Sequence, residues 1–268
     1  MENIVQAVER AKVSQISSEI DGSRRRVDFN ANSDPSGQQT EDTTVHSAYL
    51  LSKRIVTHEG VDQRSRPYDV LRTQVLRSMG LKGWTVLGVT SPTPGCGKTV
   101  TAINLALSIA RQPDRAVVLV DLDLQKPQIA SCLGLRSAAG GVLDLLAGRE
   151  TLRRVAISVH VGNLRIVVLP TQASRGSSEL MGSREMRAML QDIRQTYRSH
   201  VIIVDLPPIL SGDDVIAILP QIDCVLFVAA VGLSKASEVE ECNRHLQSSH
   251  LVRVVVNKAT DAFSNYYY

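Results

Sequence analysis

Between an apolar run, Thr85–Thr90, and a helical run opening at Lys98, the chain reads SPTPGCGKT. No other stretch narrows the possible fold as much. Gly95 and Gly97 let successive backbone N–H groups turn inward as an anion cradle, and the helix behind them adds the positive end of its dipole. Such a loop needs a buried strand before it and a helix after it, and the flanking sequence supplies both. The strict pattern has glycine where Pro92 stands. Proline can still make the tight turn, but it removes one N–H.

The rest of the chain fits that requirement. Thr85–Thr90, Ala116–Val120, Leu164–Leu169, Val201–Val204, Cys224–Ala230 and Leu251–Val256 are continuous apolar runs rich in Val and Ile, the pattern of strands buried on both faces. Helical spacing lies at Tyr68–Met79, Lys98–Arg111, Gly141–Leu146, Ser178–Tyr197, Asp213–Leu219 and Lys235–Ser249. The alternation predicts an α/β fold: a mostly parallel sheet with helices on both faces and right-handed crossovers. A hydrophobic content of 43% over 268 residues is enough to fill such a core. Residues 66–258 form this nucleotide-binding unit and 259–268 a tyrosine-rich tail. Residues 1–65 precede it as a flexible segment. Within that segment Met1–Ile20 has near-helical apolar spacing, Asp21–Thr44 reads as a polar linker, and His46–Arg66 carries no readable pattern.

Composition excludes several classes. The net charge is +3 and the only basic run is Arg24-Arg25-Arg26, so no nucleic-acid partner is expected. Cys96, Cys132, Cys224 and Cys242 have no metal-ligand spacing, which suits free thiols in the cytoplasm. The N-terminus MENIVQAVERAK lacks a signal-peptide core, and Val215–Leu233 is broken by Pro220 and Asp223, so no membrane span is expected. Work at a membrane would require a partner to hold the chain there.

Each remaining motif stands at a strand's carboxyl end, where such sheets bind ligands. Lys98 would reach the β- and γ-phosphates of ATP, and Thr99 would offer its hydroxyl to Mg²⁺. In VVLVDLDLQKP, Asp121 and Asp123 lie two apart and would face the same way on an extended chain. In HVIIVDLPPIL, Asp205 ends a strand and would order Mg²⁺ or its waters. A spare carboxylate, Asp121 or Asp123, could take the proton of an attacking hydroxyl. The chain ends on Tyr266, Tyr267 and Tyr268. From Lys258 to Tyr266 the extended chain reaches at most about 27 Å, so reaction within one chain or between neighbours is allowed.

Together YDVLRTQVLRSMG, VTSPTPGCGKT, VDLDLQKP, SSELMGSREM, IIVDLPP, VVVNK and the tyrosine tail resemble the bacterial tyrosine kinases of capsule and exopolysaccharide assembly, in their stand-alone form, over about Tyr68–Tyr268. The resemblance implies an ATP-dependent autokinase. Pro94, Gly95, Cys96, Gly97, Lys98, Thr99 and Val100 would bind nucleotide, with Asn257 near adenine. Asp121 would activate the attacking tyrosine, Thr99, Asp123 and Asp205 would support Mg²⁺, and Lys98 would act with the three aspartates in catalysis. Tyr266, Tyr267 and Tyr268 would be the phosphoacceptors. It further implies a homo-oligomer, a membrane-anchored polysaccharide co-polymerase that recruits the chain to the inner face of the membrane, and a tyrosine phosphatase. The family's oligomerisation helix offers one glutamate and two arginines, where this chain has Arg66, Asp69 and Arg72; Gln125 replaces an arginine after the second aspartate. A nucleotide-dependent switch of the export machinery with little kinase activity is the alternative. A DNA-partition ATPase lacks support, since no second lysine precedes Lys98 in the loop.

Overall fold

The computed structural model describes residues 41–58, 62–135, 140–174, 177–247 and 249–259. Eight strands form one sheet, ordered β1-β4-β5-β3-β6-β2-β7-β8. They are β1 (Glu41–Thr44), β2 (Val86–Thr90), β3 (Ala116–Asp121), β4 (Ile157–Val161), β5 (Leu164–Leu169), β6 (His200–Asp205), β7 (Cys224–Ala230) and β8 (Leu251–Asn257). Every pairing is parallel except β4–β5. That pair is a hairpin turned by Gly162 at φ 58°, the left-handed geometry a two-residue hairpin requires.

The central strands β2, β6 and β7 are buried along their whole length, because helices cover both faces. Alternation sends Val118, Val120, Ile202 and Val204 into one core and Val117, Leu119, Val201 and Ile203 into the other. On the second face lie α1 (Ser47–Ser52), α2 (Arg66–Lys82), α3 (Lys98–Ala110) and α4 (Ile129–Leu133). The first face is covered by α5 (Val142–Leu146), α6 (Leu152–Val155), α7 (Ser177–Met181), α8 (Arg184–Thr196), α9 (Asp214–Ile218) and α10 (Ala236–His245). A clasp ties this layer to the sheet: Asp223 accepts from the backbone N–H groups of Thr85 and Val86, each at 2.8 Å, and pairs with Arg194 at 2.9 Å.

The mostly parallel α/β architecture matches the expectation, and all six expected strands differ from the observed ones by at most a residue at an end. Other elements required correction. The linker read as far as Thr44 gives way at Glu41 to β1, which pairs with β4; its sequence, EDTT, has no apolar alternation to reveal it. His46–Arg66 contributes α1, with Leu50 and Ile55 fully buried in the sheet's second core. The expected division at residue 65 therefore cuts through packed structure. The single helix read over Ser178–Tyr197 breaks at Gly182, after which the Ser183 hydroxyl caps α8 by accepting from Met186 N at 3.0 Å. Strand β4 and the short helices α4 and α6 were not legible. The helix expected over Met1–Ile20, most of the linker, and Tyr266, Tyr267 and Tyr268 lie outside the described residues.

Candidate nucleotide site

The loop between β2 and α3 is built on two left-handed glycines, Gly95 at φ 84° and Gly97 at φ 94°, a backbone that penalises side chains. Gly97 is required twice over: an added Cβ would lie 2.3 Å from Nδ2 of Asn257. Pro92 fits because its neighbours use the carbonyls around it. Ile209 N donates to Ser91 O at 2.8 Å and Leu210 N to Pro92 O at 3.1 Å, so the chain leaving β6 staples the loop's first turn. Cys96 faces the core, fully buried, with Sγ 3.5 Å from Oγ of Ser234. It is a packed filler, not an exposed thiol.

Lys98 opens α3 and is 8% exposed. Its Nζ lies 2.8 Å from Oδ2 of Asp123 and 3.3 Å from both carboxylate oxygens of Asp205. Thr99 Oγ1 donates to Asp205 Oδ2 at 2.6 Å. Burial pushes Lys98 toward its neutral form, but the charges of Asp205 and Asp123 outweigh it and raise its pKa. Burial likewise raises Asp205, against the opposing pull of Lys98 and Thr99. Asp121 pairs with Asp205 across β3 and β6. Burial, with the Asp205 charge added, pushes it up to about 8.

Asp121 and Asp123 do not face the same way. Asp121 is the last residue of β3, so strand alternation ends there and the next residues turn. Its Oδ2 accepts from Gln128 N at 3.1 Å and Ile129 N at 3.0 Å, and its Oδ1 from Asp123 N at 3.2 Å. Asp121 thus closes the loop that carries Asp123, and of the two only Asp123 is ion-paired with Lys98.

A cavity of about 430 Å³ opens over this loop, lined by Pro94, Gly95, Gly97, Lys98, Thr99, Val100, Asp123 and Asn257 among the expected residues. Cys96, Asp121 and Asp205 are not among its lining residues, though Asp205 directly contacts Lys98 and Thr99, which are. Sequence reading missed Arg54, Tyr68, Lys126, Gln128, Ser211 and Lys258, which also line it, as do Gln125, Pro207 and Pro208. The proline pair after Asp205 and the lysine after Asn257 were visible signals; Arg54 had none. Gln125 donates to the buried Asp214 at 3.0 Å.

Among the described residues no group of three or more His, Cys, Asp or Glu side chains could hold a metal by itself. Mg²⁺ ordinarily takes one or two carboxylates and completes its shell with phosphate and water. Thr99 and Asp205, bonded to each other at the loop, are a donor set of that kind. On α2, Asp69 accepts from Ser108 Oγ at 2.7 Å, from Arg72 at 3.1 Å and from Arg111 at 3.2 Å. The charges of Asp69 and Arg72 are therefore engaged within the chain. No described helix is long and apolar enough to cross a membrane.

A family model described as an AAA domain matches residues 85–235. EpsB of Ralstonia solanacearum, assigned as a tyrosine-protein kinase, is 31% identical over 231 residues, 85% of this chain and 29% of that protein. The tyrosine-protein kinase CpsD of Streptococcus pneumoniae serotype 4 is 28% identical over 183 residues, 68% of this chain and 79% of that one. The kinase domain of the Escherichia coli tyrosine kinase ETK superposes with a TM-score of 0.67 at 25% identity, covering 89% of each chain. The chain spans under a third of the length of EpsB.

Proposed function

From its membership of the AAA-domain family, among relatives named as bacterial tyrosine-protein kinases, we propose that this chain is an ATP-dependent protein-tyrosine kinase acting on its own terminal tyrosines. The observation that carries the proposal is the P-loop lysine held between Asp123 and Asp205 inside an open cavity. Backbone N–H groups of residues 95–99 would hold the phosphates. On nucleotide entry Lys98 would exchange Asp123 for phosphate oxygens and leave that carboxylate unpaired. Mg²⁺, held by Thr99 and Asp205, would supply charge neutralisation when bound. In the transfer, a tyrosine oxygen forms the new O–P bond and the bond from the γ-phosphorus to the β-γ bridging oxygen breaks. The phenolic proton passes to a carboxylate. Asp123 is the aspartate that lines the cavity, so we assign it this role and make Asp121 the residue that positions its loop.

The tail supports the same reading. Lys258, near the last described residue, lines the cavity; Tyr266 follows within about 27 Å of extended chain and Tyr267 and Tyr268 within about 35 Å. We further propose that the activity serves polysaccharide export at the inner face of the membrane, with a co-polymerase partner and an opposing tyrosine phosphatase. Incubating the full chain with ATP and Mg²⁺, with and without a co-polymerase cytoplasmic segment, tests it. The expected result is phosphotyrosine in the C-terminal peptide by mass spectrometry. Nucleotide binding without phosphotyrosine in either condition would favour a nucleotide-dependent switch, the reading that the burial of Asp121 and the internal engagement of Asp69 support.

A further inference from the structure

Among the described residues only two non-glycine positions have left-handed backbone: Arg54 at φ 61° and Lys258 at φ 57°. Both are basic, and both line the cavity above the phosphate loop. They arrive from opposite ends of the described chain. A side chain on such a backbone is disfavoured, and glycine is the usual occupant. Arg54 shows this plainly, because it terminates α1. Its N–H donates to Leu51 O at 3.0 Å, and Ile55 N reaches back to Leu50 O at 2.9 Å. That turn is the one helices most often end on with glycine. Backbone strain retained at two positions facing one cavity points to a function for the side chains.

Both positions are anchored to the phosphate loop and its helix. Asn104, fully buried on α3, donates from Nδ2 to Arg54 O at 3.0 Å and to Val100 O at 2.9 Å. Its Oδ1 accepts from Val56 N at 2.8 Å. The Arg54 turn is thereby fastened to the first turn of α3, whose Lys98, Thr99 and Val100 line the same cavity. On the other side, Lys258 N donates to Asn257 Oδ1 at 2.8 Å, while Asn257 Nδ2 donates to Cys96 O at 2.9 Å. One amide side chain thus fixes each cation against the loop. The lining carries Arg54, Lys98, Lys126 and Lys258 against the single carboxylate of Asp123, an excess suited to a polyanion.

We propose that Arg54 and Lys258 are phosphate-binding cations that bracket the polyphosphate of a bound nucleotide. The segment before α2 therefore completes the site in cis. This rests on the cavity being a nucleotide site, and the test separates the two ideas. The full chain, Arg54→Gly, Arg54→Gln and Lys258→Gly are titrated calorimetrically with ADP and with a non-hydrolysable ATP analogue. Each variant should bind about tenfold more weakly, the loss of one partly exposed charge-assisted contact. Without nucleotide, Arg54→Gly should melt at or above the wild-type temperature, because glycine relieves the turn. Arg54→Gln keeps the strained backbone and should match Arg54→Gly in affinity. If the unaltered chain binds neither nucleotide, the nucleotide reading fails and this one with it. If it binds and the variants bind equally well, the cavity reading stands and the bracket is wrong.

Discussion

The carboxamide of Asn257, at the end of β8, donates to the carbonyl of Cys96 at 2.9 Å, tying one edge of the sheet to the tip of the phosphate loop. The contact is possible only because Gly97 has no side chain: its Cβ would stand 2.3 Å from that same nitrogen. The loop's shape is thus set from outside itself as well as by its own glycines.

Gly97→Ala should therefore carry two separable penalties. The left-handed backbone costs about 1–2 kcal/mol, and displacing Asn257 loses a hydrogen bond of about 1 kcal/mol. Calorimetric melting should fall by roughly 5–10 °C. Adding Asn257→Ala should remove the clash and leave the backbone term. A double variant no more stable than Gly97→Ala would show that the clash is not felt.

Lys98→Met should abolish phosphotyrosine formation and weaken ATP binding by at least about a hundredfold, since it removes a buried charge from the phosphates. Isothermal titration and phosphotyrosine mass spectrometry measure the two effects. Retained ATP affinity would place the phosphates elsewhere.

The two loop aspartates should differ. Asp123→Asn should cut phosphorylation by about 10²–10⁴-fold, the usual cost of a lost proton acceptor. Asp121→Asn, outside the cavity lining, should cost less than about tenfold. Equal losses would return Asp121 to the chemistry.

Asp121 also predicts a pH effect on stability. Its folded pKa of about 8 lies above the ordinary value of 3.8, so the folded state holds a proton that the unfolded chain releases. That contribution is complete below about pH 4 and is lost as pH rises through about 8. Denaturant midpoints without nucleotide should show Asp121→Asn gaining on the unaltered chain between those limits. Parallel profiles would mean Asp121 is already ionised at neutral pH.

The Asp223–Arg194 clasp has the opposite sign. Burial pushes the Asp223 carboxyl up, but hydrogen bonds from Arg194 and from the N–H groups of Thr85 and Val86 hold it below the usual carboxylate range. Its contribution is present above the ordinary carboxylate pKa and lost as pH falls through the lowered one. Asp223→Asn should cost about 1–3 kcal/mol at pH 7, discounted for partial exposure. The gap in urea midpoints should narrow as pH falls below the ordinary carboxylate value of 3.8. A pH-independent gap would mean packing, not charge, holds the clasp.

What the sequence determined by itself was the layered sheet and the position of the phosphate loop. Both rest on local pattern: apolar runs such as Val201–Val204 suit strands buried on both faces, and Gly95 and Gly97 admit the left-handed backbone that the loop needs. Tertiary structure alone decided which aspartate faces the cavity, because that depends on where β3 ends and on how Gln128 and Ile129 fold back over Asp121. It also brought Arg54 to the site, since the amide that holds its turn lies on a helix fifty residues further along the chain, and no period or spacing in the residues around Arg54 records such a contact.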